Sequence, residues 1–162
     1  MSGPRDVAVA VRRARHEDWP GVASLLREVD QLHAELAPAY FRAGARAEVE
    51  WQQLLAETTA AAWVAVDAVA SALGFLALRL YETPPDPTMV PRRRAHLETL
   101  VVATSARRRG LGRRLVKEAS AWARARGADE MVLTIWAGNA AADAFYERLG
   151  YRVLSRVLHT TL

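Results

Sequence analysis

One passage constrains this chain more than any other: LETLVVATSARRRGLGRRLVKEASAWARARG, residues 97–127. An apolar strand over His96 to Val102 runs into a short basic loop with two glycines, and that loop opens a helix over Arg109 to Arg126. Leu111, Leu115, Ala119 and Trp122 recur at helical spacing as a buried stripe, Arg113 and Lys117 stand one turn apart on another face, and Gly127 caps the end. At a helix N-terminus the first backbone N–H groups lack partners and the macrodipole is positive, so phosphate oxygens are favoured there. Gly110 and Gly112 let a ligand approach the backbone with no Cβ in the way. A plain tight turn uses the same glycines, so the pair alone does not decide. The loop has no Gly-Lys-Ser or Gly-Lys-Thr, and Arg107 stands where a three-glycine dinucleotide fingerprint would begin; both of those phosphate sites are excluded.

Charge is concentrated around this passage. Residues 87–117 hold nine Lys or Arg and one acid, Glu98, although the whole chain carries only +4. Such a run is either a solvated surface or the footprint of an anionic partner, and composition does not choose between nucleic acid, phospholipid and a phosphorylated small molecule. The chain has 162 residues, 51% of them hydrophobic, which suits one compact domain over 1–162 and excludes disorder. No Cys is present, so neither a disulfide framework nor a thiolate nucleophile is available. No His, Asp and Glu spacing reads as a metal site. The apolar run Val7 to Val11 is too short for a signal-peptide core, and no run approaches the roughly 18 residues of a membrane span. A cytoplasmic protein without a membrane partner is expected.

The remaining elements follow from periodicity. Val7, Val9 and Val11 alternate as a first strand; Asp18 offers an N-cap to a helix whose apolar face runs from Val22 to Leu36; Pro38 stops it. A second helix over Arg46 to Glu57 precedes strands at Trp63 to Val66 and Leu73 to Tyr81, which form a hairpin. Four prolines make residues 82–95 an exposed loop ending in Arg92, Arg93 and Arg94. After the long basic helix come a strand over Glu130 to Trp136, a helix over Ala140 to Leu149 and a final strand over Tyr151 to Thr160. The order β α α β β β α β α β predicts an α/β (α+β) domain with a mixed, mostly antiparallel sheet, a parallel pair in the second half and helices on both faces.

Arg107-Arg108-Arg109-Gly110-Leu111-Gly112 resembles the Gln/Arg-x-x-Gly-x-Gly/Ala loop of the GNAT superfamily of N-acetyltransferases. LETLVV resembles that family's splayed fourth strand, and GNAAADAFYERLGY its Asn-to-Tyr helix, so the likeness spans residues 96–151. Thr104, Ala106 and Arg108 stand where the family often has Pro, an aromatic residue and Gly, and Arg108 cannot enter a left-handed conformation as cheaply as Gly.

The resemblance implies acetyl-CoA as co-substrate. It implies that the backbone of Leu100, Val101 and Val102 pairs with the pantetheine arm and that amides from Arg107, Arg108, Arg109, Gly110, Leu111, Gly112 and Arg113 cradle the pyrophosphate. Asn139 contacts the cofactor arm in this reading, and Tyr146 stands near its sulfur as general acid. Seven residues are nearly two helical turns, which places Asn139 and Tyr146 on one side. N-capping accounts equally for Asn139, and core packing for Tyr146.

Glu98, the lone acid between Asp86 and Glu118, is the base candidate for deprotonating an amine acceptor; a surface-facing strand glutamate is its plainer reading. His33, Tyr40 and Tyr81 are candidate substrate contacts, Tyr40 because it adjoins Phe41 in the segment after Pro38. The implied reaction is acetyl transfer to a primary amine of a small molecule or protein by direct attack in a ternary complex. A longer acyl group, a non-catalytic acetyl-CoA sensor and a nucleic-acid-binding protein are the alternatives. No recognition-helix, zinc-finger or aromatic RNA-binding signature supports the last. A homodimer accords with the family.

Overall fold

A computed structural model describes residues 8–161. Strand β1 is Ala10–Arg13, followed by a turn of 3-10 helix and helix α1, Trp19–Leu36; α2 is Glu48–Ala56. The long meander comprises β2 (Ala60–Val66), β3 (Ala72–Glu82) and β4 (Arg93–Val102), after which α3 spans Leu111–Ala125, β5 Glu130–Val132 and α4 Ala140–Arg148. The five strands lie in the order β1-β2-β3-β4-β5, antiparallel except for the parallel pair β4 and β5. The expected mixed sheet with one parallel pair is therefore present.

Alternation along β3 assigns the helices to faces. A Cβ on Gly74 would lie 3.1 Å from Leu115 of α3, whereas the Phe75 ring lies 5.8 Å from that of Trp51 in α2. Neighbouring residues of a strand point to opposite faces. Consequently α2 and α3 cover opposite sides, and β2 between them is buried along its whole length. The stripe Leu111, Leu115 and Ala119 is buried as the spacing predicts, with Trp122 half-buried against Trp63.

Several expectations need correction. Residues 151–160 form no strand, and β5 ends at Val132 instead of Trp136. A strand needs a neighbour to satisfy its backbone, and strand-forming residue types cannot supply one. The proline loop is shorter than expected, since β4 begins at Arg93 with the backbone N–H donating to Asp129 Oδ2 at 2.8 Å and Arg94 paired to Glu130 Oε1 at 2.6 Å. Those acids draw two of the three arginines into the sheet. The first strand is shifted to Ala10–Arg13; Val7 lies outside the described residues.

A further correction concerns Asp18, whose side chain makes no N-cap bond to α1. It turns back instead, accepting from Arg12 Nη1 and Nη2 at 2.8 Å each and from the Arg15 N–H at 2.8 Å, which pins the start of α1 to β1. Burial alone would push the Asp18 carboxyl up, but the Arg12 fork and the Arg15 amide outweigh it and hold it below the usual carboxylate range. The stabilisation is present above the unfolded value near pH 4 and is lost as pH falls through the lower folded value. Asp18→Ala should cost about 2 kcal/mol at pH 7. Urea melts of wild type and variant at pH 7 and at pH 3 should show that gap narrowing in acid.

Candidate active site

The site is organised by an extra residue in β4. Leu97 pairs with Leu78 of β3 and Thr99 with Ala77, so Glu98 has no opposite number and forms a β-bulge. A bulge bends its strand and re-aims the side chain it carries. Strand β5 follows β4 only along Arg94, Ala95 and His96, the residues just before the bulge. Beyond it, Thr99 to Val102 pair with β3 on one side, and among the described residues no strand pairs with the other. Leu100, Val101 and Val102 thus lie along an open strand edge.

Glu98 itself lines a cleft of about 290 Å³ between the sheet and the first two helices, together with Trp19, Glu50, Trp51, Phe75 and Arg79. Arg79 sits between two carboxylates, with Nε donating to Glu57 Oε2 at 2.8 Å and Nη1 to Glu98 Oε2. The Tyr81 hydroxyl donates to Glu98 Oε1 at 3.4 Å. Arg79 and Thr59 hold the Glu57 carboxyl below its ordinary value, the two glutamates raise Arg79, and burial and then the Glu98 charge raise Tyr81. Arg79, Glu57, Glu50 and Trp51 were not singled out from sequence. The available signal was the alternation Phe75, Ala77, Arg79, Tyr81, which puts an arginine on a largely apolar strand face.

At the far end of β4 the chain enters α3 through two left-handed residues, Arg108 at φ 66° and Gly110 at φ 76°. The first backbone bond of the helix is from the Arg114 N–H to the Gly110 carbonyl at 3.1 Å. No side chain caps this end and its first turn has no acid, which leaves the amides of Leu111, Gly112 and Arg113 free for an anion. Arg108, Arg109 and Arg113 are exposed and make no ion pair among the described residues, while Arg107 turns its Nε to the Val102 carbonyl at 3.2 Å. Gly112 has a second role. A Cβ there would stand 3.1 Å from the Phe145 ring and 3.8 Å from Val102, so its absence lets α4 close on α3 at the end of β4.

Helix α4 carries the remaining candidates. Asn139 is its N-cap, with the side-chain oxygen accepting from the Ala142 N–H at 3.1 Å. Tyr146 is 8% exposed, packed 5.0 Å from the Phe145 ring and 5.2 Å from that of Tyr151. Burial, then the neighbouring Tyr151, push its hydroxyl well above the ordinary tyrosine value, which keeps it protonated at neutral pH. His33 and Tyr40 stand apart from the Glu98 cleft: His33 stacks on Phe41 at 4.9 Å, Tyr40 lies 5.3 Å from Trp136, and its hydroxyl is 3.3 Å from His159 Nδ1.

An open strand edge feeding an uncapped, arginine-flanked helix start coincides with a family match: the model of the acetyltransferase (GNAT) family covers residues 26–151. The chain belongs to the GNAT family of acetyltransferases. A mutant of the BH1408 protein from Bacillus halodurans superposes with a TM-score of 0.90 at 25% identity, over 94% of this chain and 99% of that one. Aminoglycoside 6'-N-acetyltransferase AAC(6')-Ih from Acinetobacter baumannii shares the fold at TM-score 0.72 and 18% identity, over 96% and 98% of the two chains. So does aminoglycoside N-acetyltransferase AAC(6')-Iy, in complex with CoA, at 0.73 and 16% over 94% and 98%. No curated protein sequence matches the chain.

This GNAT chain is an acetyltransferase with acetyl-CoA as co-substrate. The residues present suit that ligand, because free amides with unpaired arginines meet a pyrophosphate and an unpaired strand edge meets the amide groups of a pantetheine arm. Among the described residues no helix is long and apolar enough to cross a membrane. Arg108 stands where the family often has Gly and does adopt the left-handed conformation expected to strain it. Arg108→Gly should raise stability by about 1 kcal/mol, measured by chemical denaturation.

Proposed function

We propose that the chain transfers the acetyl group of acetyl-CoA to a primary amine of a small molecule or protein, by direct attack in a ternary complex and with residues 1–162 acting as one cytoplasmic domain. The observation that carries the reading is the bulge at Glu98, which puts a carboxylate in the cleft and frees the edge of β4 at one point of the chain. Acetyl-CoA supplies the acetyl group as a thioester. Its pyrophosphate would be held by the amides of Leu111, Gly112 and Arg113 and by the arginines around them, its arm by Leu100 to Val102 and by Asn139. The acceptor enters on the α1–α2 side, where the cleft volume is at the small end of the roughly 300–1,000 Å³ typical of ligand pockets. That size suits a small amine or a single amino-bearing side chain.

Proton transfer divides between two groups. Glu98 takes the proton from the acceptor nitrogen, and Arg79 and Tyr81 fix the orientation of its carboxylate. Tyr146, protonated at working pH, gives its hydroxyl proton to the departing sulfur. A backbone N–H near Leu100 is the donor proposed for the thioester oxygen as negative charge develops on it. The aromatic group of Tyr40, His33 and Trp136 lies outside this cleft and would contact only an acceptor long enough to reach it.

The acceptor is found by a screen of amines with thiol release as readout. Acetyl-CoA should raise the melting temperature, since a ligand that binds only the folded state stabilises it by mass action. Stabilisation without thiol release on any amine would indicate a sensor. Tyr146→Phe keeps the ring and should retain acetyl-CoA affinity while turnover drops about 100 to 10,000 fold; unchanged turnover rules out the acid role. Glu98→Gln should lower kcat and abolish the acidic limb of the pH–rate profile, and a limb left in place would assign the base elsewhere.

A further inference from the structure

The loop between β4 and α3 has few ties of its own. The chain leaving β4 makes a last bond to β3 from the Ala103 N–H to the Leu73 carbonyl at 2.9 Å, and α3 begins with the Arg114 N–H on Gly110. In between, Thr104–Ala106 make one turn of 3-10 helix, closed by the Ala106 N–H on the Ala103 carbonyl at 2.8 Å. Ala103 occupies the N-cap of that turn and has no side-chain acceptor to offer. The Thr104 N–H, first in the turn, therefore depends on an acceptor from elsewhere.

Glu28 of α1 supplies it. Its Oε2 accepts from the Thr104 N–H at 3.2 Å and from the Thr104 hydroxyl at 3.0 Å, so both polar groups of one residue meet one carboxylate oxygen. Among the described residues, the other hydrogen bonds of 104–109 stay within the loop or return to the end of β4. Glu28 makes no ion pair among those residues, although three arginines, Arg107, Arg108 and Arg109, follow Thr104 closely in the chain. The helix that carries it is firmly seated, since Leu25 and Leu26 on the neighbouring face are buried in the core. A loop with two left-handed residues is thus braced from outside at a single point.

We propose that Glu28 is a positioning residue for acetyl-CoA. By holding Thr104 it fixes the turn from which the chain enters Arg108 and Gly110, and so aims the amides of Leu111, Gly112 and Arg113. Donors that are fixed before the ligand arrives spare the complex the entropy of ordering them. The inference rests on the reading that those amides hold the pyrophosphate. The negative charge of Glu28 contributes nothing to holding an anion. What it offers is an acceptor oxygen at a fixed place, and a neutral acceptor of the same shape can replace it. Leu26, in the preceding turn of α1, lines the Glu98 cleft, so one helix supports both the cofactor loop and a wall of that cleft.

Calorimetric titrations with acetyl-CoA and with S-acetylpantetheine, which lacks the pyrophosphate and the nucleotide, test this. Wild type should bind acetyl-CoA more tightly than the fragment; equal affinity for the two overturns the pyrophosphate reading and this inference with it. Glu28→Ala should weaken acetyl-CoA binding about 3- to 10-fold, the scale of one net hydrogen bond, and leave S-acetylpantetheine within about twofold of wild type. Glu28→Gln keeps an acceptor oxygen and should retain the wild-type affinity for both. A Glu28→Ala protein with undiminished acetyl-CoA affinity overturns the role of Glu28 without touching the pyrophosphate reading. So does an equal loss for the two ligands, which marks a general loss of structure. A loss in Glu28→Gln as large as that in Glu28→Ala also overturns it, because positioning requires only the acceptor.

Discussion

The extra residue at position 98 governs the working half of this molecule. A β-strand can keep both of its neighbours only while its register is continuous, and β4 loses continuity where Leu97 and Thr99 take successive partners on β3. Strand β5, which accompanies β4 up to His96, does not follow it past this point. The same defect that opens an edge turns a carboxylate into the cleft. The open edge and the carboxylate in the cleft therefore share one structural cause, and neither could be moved along the strand without the other.

The rest of the architecture presents that opening. The chain leaves β4 through Arg108 and Gly110 in left-handed conformations and starts α3 with uncapped amides close to the strand end. The missing Cβ at Gly112 allows Phe145 to close from α4, which brings Tyr146 and Asn139 onto the same region. On the opposite face, Asp18 ties α1 to β1, and the Trp19–Trp51 contact at 6.0 Å joins α1 to α2 over the Glu98 cleft. The basic run divides between these tasks. Arg94 pairs within the sheet, whereas Arg108, Arg109 and Arg113 remain open to an anion. That division favours one phosphorylated ligand at a helix start over a broad nucleic-acid surface.

Electrostatics in the cleft follow from Arg79. One guanidinium serves Glu57 and Glu98, so the base candidate is oriented by a cation that itself is anchored elsewhere. Tyr146 meets the opposite situation, an apolar enclosure that keeps its proton in place. The two groups have different surroundings, Glu98 being ion-paired and Tyr146 enclosed by apolar neighbours.

Local features were legible in the sequence because they depend on neighbours along the chain. The 3.6-residue spacing of Leu111, Leu115 and Ala119, the Arg-x-x-Gly-x-Gly loop, the Asn139 cap and the strand–helix order are of this kind, and they carried both the fold class and the family resemblance. Features that need a partner distant in the chain were not. Asp18 read as a cap until Arg12 proved the stronger partner; Arg79 gained meaning only when β3 was laid against β4; Glu98 was visible as a lone acid but not as a bulge. The 151–160 segment has a strand's β-branched and apolar residues and no strand, because composition sets a preference for extended backbone while pairing requires a second backbone within hydrogen-bond reach. Sequence determined the local conformations and the chemistry available; the tertiary structure decided register, edges and charge partners, since each of these is a distance between residues that the order of the chain leaves free.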